Sequence, residues 1–147
     1  MSSHIIYIGL GSNLGNGPAN LDAAIQRLRQ VVGEVLYTSA YVTSEPWGFA
    51  SEHVFTNAVT VLRTVLQPMA LLDVTQHIER QMGRTHKRKP GEGYRDRIID
   101  IDILRYDDLR YDSDRLTLPH PHIMDRPFVS VPLEECRRAL EKLTMNR

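Results

Sequence analysis

The stretch RIIDIDIL, Arg97–Leu104, decides how this chain folds. Four isoleucines and a leucine in eight positions specify a buried strand. Yet Asp100 and Asp102 stand in its middle, where burial of charge costs most. Side chains alternate across a strand, so the two carboxylates share one face while Ile99, Ile101 and Ile103 share the other. Same-face neighbours lie roughly 6.5–7 Å apart. At an effective dielectric of ~20, two ionised carboxylates at that spacing repel by about 2.5 kcal/mol. A sheet that keeps both needs solvent on that face, basic partners, or a divalent cation.

Immediately upstream runs GRTHKRKPGEGYRDR, Gly83–Arg97, with Arg84, Lys87, Arg88, Lys89, Arg95, Arg97 and His86 against only Glu92 and Asp96. A solvated charge run is the ordinary reading of such a loop. Set beside two carboxylates, it gives the polarity that holds a nucleoside triphosphate, with arginines on phosphate oxygens and metal between phosphate and carboxylate. Hard oxygen ligands suit Mg²⁺, which takes one or two carboxylates plus substrate phosphates. Two such ions about 3.5–4 Å apart can be bridged by one pair. Gly91 and Gly93 allow the loop to close. Other phosphate signatures are absent: there is no Walker-type G-x-x-x-x-G-K-[ST], and in GLGSNLG Leu14 replaces the third glycine of a dinucleotide fingerprint.

The remaining segments supply the rest of a sheet. HIIYIGL (His4–Leu10) reads as a strand, and GSNLGNGP (Gly11–Pro18) as a turn. A helix follows with Leu21, Ala24, Ile25, Leu28 and Val32 on one face and Gly33 as its stop. Glu34–Ser44 and Phe55–Leu66 read as two further strands, separated by a loop carrying Trp47. A second helix starts at Pro68, shows a stripe of Leu71, Leu72, Thr75, Ile78 and Met82, and ends at Gly83. After the aspartate strand, LPHPHIMDRP is irregular because its prolines forbid regular structure, and PLEECRRALEKL (Pro132–Leu143) closes the chain as a helix. The order β-α-β-β-α-β is the ferredoxin-like pattern: an α+β fold, with two helices on one face of an antiparallel sheet and the other face open for a site or further elements.

The composition fits a single domain over residues 1–147, with 41% hydrophobic residues for one core. Eighteen basic residues balance 18 acidic ones, so bulk charge does not recruit nucleic acid or a membrane surface. A lone cysteine, Cys136, excludes an internal disulfide and fits a reducing, cytoplasmic compartment. No stretch approaches the ~18 apolar residues a membrane span needs, and MSSHIIYIGL lacks the basic start of a signal peptide.

His120, between Pro119 and Pro121, has a stiff backbone that suits a phosphate contact, an acid–base role, or simple packing in a turn. Taken in order, YIGLGSNLG, SEPWG, FTNAV, IERQMGR, RIIDIDIL and RLTLPHPHIMDRPF make the chain resemble the 6-hydroxymethyl-7,8-dihydropterin pyrophosphokinases over nearly its whole length. The most specific part is R-x-x-D-I-D-I-L followed by L-P-H at Leu118–His120. The resemblance implies a ferredoxin-like fold and transfer of pyrophosphate from ATP to the pterin's hydroxymethyl group, releasing AMP. It implies two Mg²⁺ held by Asp100 and Asp102, with Arg84 and Arg97 assisting. It implies an ATP-binding set of Glu79, Arg84, Arg97, Ile103, His120 and Arg126. Ser44, Trp47, Phe55, Asn57 and Phe128 are the implied pterin set, the two phenylalanines stacking on the ring. A monomer that binds neither nucleic acid nor membrane is expected.

The chain departs from the family pattern in places. Phe55 stands where tyrosine is common, His86 where some relatives carry a second arginine, Tyr94 near a loop tryptophan, and Pro121 in place of an aromatic. Two rival classes share parts of the pattern. Another two-metal phosphoryl or nucleotidyl transferase would need the aspartates but not Phe55, Asn57 and Phe128. An RNA-binding module on the same strand order would present aromatics, not Asp100 and Asp102, to its ligand.

Overall fold

The structure, a computed structural model, describes residues 2–45, 54–83 and 97–145. The elements are β1 (His4–Ser12), α1 (Gly17–Val31), β2 (Gly33–Thr38), β3 (Val42–Ser44), β4 (Phe55–Thr64), α2 (Pro68–Gln81), β5 (Asp100–Tyr106), β6 (Tyr111–Asp112), β7 (Thr117–Leu118) and α3 (Pro127–Met145). The main sheet has the order β2-β4-β1-β5, β3 pairs with β4 beside β2, and every pairing is antiparallel. This is the strand order of the ferredoxin-like α+β class expected from the sequence. Among the described residues, no helix is long and apolar enough to cross a membrane.

Alternation in β1 sends Ile6, Ile8 and Leu10 to one face, where Leu21, Ala24 and Leu28 of α1 and Leu71, Leu72 and Ile78 of α2 cover them. Asn16 caps α1, its side-chain oxygen accepting from the Ala19 N–H at 3.1 Å. α2 is followed, two residues past its end, by Gly83, whose φ of +99° is open to glycine at little cost.

The second face carries the further element that the strand order leaves room for, α3. Ile5 and Tyr7 of β1, Val59 and Val61 of β4 and Leu104 of β5 pack under α3 through Leu133, Cys136 and Leu140. Cys136 is fully buried, and its thiol donates to the Val59 carbonyl at 3.2 Å. Burial, helped by the Glu135 charge, pushes that thiol up to about 12. Thiolate is the reactive form. Cys136 is therefore expected to resist iodoacetamide at pH 8 in the folded protein and to react as an ordinary thiol in urea. Rapid native labelling would mean that α3 does not sit on β4.

Beyond shifts of two or three residues at the ends of β1, β4 and β5, three differences from the boundaries read in the sequence have a visible cause. Glu34–Ser44 is two strands, not one: Thr38 pairs with Thr60 and Val42 with Asn57, so four steps on one strand face three on β4. The extra residue is absorbed at Ser39, whose N–H donates to Val59 O and whose hydroxyl accepts from Val59 N–H, while Glu135 of α3 takes the Ala40 N–H. Gly33 opens β2 and does not merely stop α1. A Cβ there would lie 1.9 Å from the Arg63 carbonyl oxygen, so close approach to β4 demands glycine. Finally, α3 begins at Pro127, five residues before the expected start at Pro132, because proline is tolerated in a first helical turn. Phe128 is thereby helical.

Candidate active site

β5 delivers the two aspartates as its alternation requires. Ile101 and Ile103 are buried on the side of α1 and α2, and Asp100 and Asp102 turn, half-buried, to the opposite face. The strand keeps this pattern until Leu104. Leu104 faces the α3 side with the aspartates, and beyond it the register against β1 shifts, with Ile8 opposite Ile103 and Tyr7 opposite Arg105, so Tyr106 returns to the α1 and α2 side.

What lies opposite the aspartates is as informative. In β1, Gly9 pairs with Asp102 and Gly11 with Asp100. The floor beside each carboxylate therefore carries no side chain. A Cβ on Gly9 would meet Leu104 at 3.3 Å, and one on Gly11 would meet Asn57 Oδ1 at 3.3 Å and the Phe55 ring at 3.6 Å. Two glycines at alternate positions of a β-branched strand are a signal of close approach that the sequence carried and that its reading passed over.

Across this floor β4 presents Phe55, Asn57 and Val59. Asn57, paired with Gly11, is 5% exposed, and its amide donates to the Ser44 hydroxyl of β3 at 2.8 Å. From the α3 side come Arg126, 5% exposed, and Phe128; His120 also lines the cleft. The His120 N–H donates to Leu104 O at 2.9 Å, and its Nδ1 accepts the His122 N–H at 3.2 Å. An Nδ1 that accepts leaves the proton of the neutral ring on Nε2, as a donor. The His122–Asp125 contact at 3.1 Å closes the turn that delivers Arg126.

Arg97 links the two halves. Its guanidinium lies 3.4 Å from Asp100 Oδ2 and 5.6 Å from the centre of the Phe55 ring, and the side chain is 5% exposed. Glu79 of α2 lies elsewhere. It is 2% exposed, and its Oε2 accepts the Ile101 N–H at 2.7 Å, satisfying a donor of the edge strand from the helix side. The Ile103 side chain also packs in the helix-side core. The structure thus brings Asp100, Asp102, Arg97, His120, Arg126, Phe55, Asn57 and Phe128 around one cleft, with Ser44 behind Asn57; the side chains of Glu79 and Ile103 are not part of its lining. Arg84 and Trp47 lie outside the described residues, as do His86, Tyr94 and Arg95. Glu45 also lines the cleft, and so do Gly9 and Gly11, which in the sequence are weighed only against a dinucleotide fingerprint.

The donor set suits Mg²⁺. Among the described residues there is no cluster of three or more metal-binding side chains that would form a closed cage. Two carboxylates over a bare floor leave the remaining positions to water and phosphate oxygens, which is the habit of Mg²⁺.

A model of the 7,8-dihydro-6-hydroxymethylpterin-pyrophosphokinase family matches residues 7–138. A 2-amino-4-hydroxy-6-hydroxymethyldihydropteridine pyrophosphokinase of Porphyromonas gingivalis is 47% identical over 132 residues, covering 89% of each chain. The enzyme of that name from Methylorubrum extorquens is 40% identical over 130 residues, covering 88% of this chain and 80% of its own. Among solved structures, a chain titled HPPK-DHPS in complex with substrates superposes with a TM-score of 0.69 at 14% identity. It covers 91% of this chain, which spans only 40% of that longer one. At that identity the superposition speaks for the fold alone.

Proposed function

The chain belongs to the 7,8-dihydro-6-hydroxymethylpterin-pyrophosphokinase family, and from that premise we propose that Asp100 and Asp102 hold two Mg²⁺ on the triphosphate of ATP while its pyrophosphoryl group passes to the hydroxymethyl oxygen of 6-hydroxymethyl-7,8-dihydropterin. The reaction releases AMP and the dihydropterin diphosphate, a step of folate biosynthesis. Bound Mg²⁺ would neutralise charge on the β-phosphate and make the attacking hydroxyl more acidic. The observation that carries the reading is Arg97, which stands 3.4 Å from an acid of β5 and 5.6 Å over an aromatic of β4. It joins an anion-holding half to a ring-holding half.

The chain's own residues then divide the work. Phe55 and Phe128 take the two faces of the pterin. Asn57, oriented by Ser44, reads its polar edge, and Trp47 belongs to the same proposed pterin set. Arg97 and Arg84 balance the negative charge that moves from the β-phosphorus to the departing AMP. His120 donates from Nε2 to a phosphate oxygen, and Arg126 supplies a buried cation. Glu79 and Ile103 bear on ATP through the β5 main chain they hold or belong to. In this reading residues 1–147 act as one domain and as a monomer, in a reducing, cytoplasmic compartment that suits the lone cysteine.

AMP release from ATP with Mg²⁺ is expected to require the reduced pterin, and calorimetric titration of that pterin to show binding in the presence of a non-hydrolysable ATP analogue. Equal AMP formation with the pterin omitted would refute the assignment.

A further inference from the structure

We infer that Asn13 is a positioning residue, whose carboxamide fixes the main chain of Arg97 and through it the place of the guanidinium between Asp100 and Phe55. The inference rests on the phosphoryl-transfer reading above. Asn13 follows the last residue of β1, is 5% exposed and does not line the cleft. Its Oδ1 accepts the Arg97 N–H at 2.7 Å, and its own N–H donates to the Arg97 carbonyl at 3.0 Å. Both main-chain groups of Arg97 are therefore held by one residue 84 positions away. Half of that grip is a side chain, so it depends on residue identity and not on strand pairing alone.

The anchor is itself anchored. Asn20 of α1 donates to the Leu14 carbonyl at 2.8 Å and to the Ser12 hydroxyl at 3.1 Å, on either side of Asn13. Asn16 caps the same helix. The turn is thus tied to α1, and Arg97 to the turn. A guanidinium at the end of a long side chain magnifies small shifts of its own backbone. Misplacement by about 1 Å at a reacting centre is enough for a rate loss of order 100-fold. Asparagine suits the task because it reaches a nearby N–H with a neutral acceptor. Alanine removes that acceptor from a buried N–H, while aspartate retains it.

A double-mutant cycle tests this on the full chain, with kcat and both KM values from AMP release and with the exchange of the Arg97 amide by NMR. Asn13→Ala is expected to lower kcat about 10- to 100-fold and to speed Arg97 amide exchange, with pterin KM little changed. In an Arg97→Ala background, Asn13→Ala is expected to cost less than about twofold, because its effect passes through the absent guanidinium. Asn13→Asp is expected to restore kcat to within about threefold of the parent. Asn13→Ser, whose hydroxyl falls short of the same N–H, replaces alanine if that protein does not fold. An equal loss of kcat in both backgrounds, or unchanged Arg97 amide exchange, overturns the inference. If Arg97→Ala leaves AMP release untouched, it is the reading of the site that fails, and amide exchange alone then decides the anchor.

Discussion

Asp102→Asn is expected to lower the rate of AMP formation by about 10³-fold or more, a barrier increase of ~4 kcal/mol, while the protein melts no lower than the parent. The two halves of that expectation have one cause. Asp102 shares a face of β5 with Asp100, and repulsion between such neighbours costs the fold about 2.5 kcal/mol when nothing lies between them. Asparagine keeps the shape and the hydrogen-bonding oxygen and ends the repulsion, so the fold is expected to hold. The same change removes the charge that would draw a divalent cation to the triphosphate. Asp100 meets the Arg97 guanidinium at 3.4 Å, so its loss would in addition leave a buried cation short of that anionic neighbour. Single-turnover rates at rising Mg²⁺ separate the contributions: weaker metal binding is relieved by more Mg²⁺, loss of charge balance in the transition state is not. A rate within tenfold of the parent at saturating Mg²⁺ would remove the carboxylate pair from the mechanism.

The aspartates were legible in the sequence because their signal is local. A period of two, isoleucine against aspartate, needs no knowledge of the partner strand, and the structure places the two faces of β5 as that period requires. α1 and α2 were legible in the same way, from apolar stripes at helical spacing. What escaped was set by other parts of the chain. The break at Ser39 exists because β4 is one residue shorter across it and because Glu135 of α3 offers an acceptor, neither of which is visible in SAYVTS. Gly33 looked like a helix stop, and only the Arg63 carbonyl of β4 shows why nothing larger fits. α3 was readable as an amphipathic helix, but an apolar stripe does not say which face of a sheet it covers. In and around the cleft, chemically active residue types drew notice as site residues while Gly9, Gly11 and Asn13 did not. The first two act by lacking a side chain, and the third by holding a main chain far away in sequence.

Asn57→Ala is expected to raise the KM for the pterin about 30- to 100-fold, ~2–3 kcal/mol, while the KM for ATP moves by less than about threefold. Asn57 sits on β4, and its amide nitrogen is committed to the Ser44 hydroxyl at 2.8 Å. That commitment turns Oδ1 the other way, toward the floor at Gly11, where a Cβ would come within 3.3 Å of it. A fixed acceptor over an open floor suits the amino and ring N–H donors of a pterin's edge. Alanine leaves those donors enclosed without a partner, and the penalty for an unpaired buried donor exceeds the gain from a formed bond. Ser44→Ala should do less, about three- to tenfold on the same KM, since it frees the amide to turn without removing the oxygen. The ordering of the two variants is therefore part of the test. Sheet order supplies the rest: β1, with its two glycines, lies between Asn57 on β4 and the carboxylates on β5. Loss at Asn57 should thus stay on the pterin side. Equal rises in both KM values would mean that the substitution loosened the whole cleft, and would deny Asn57 a specific contact with the ring.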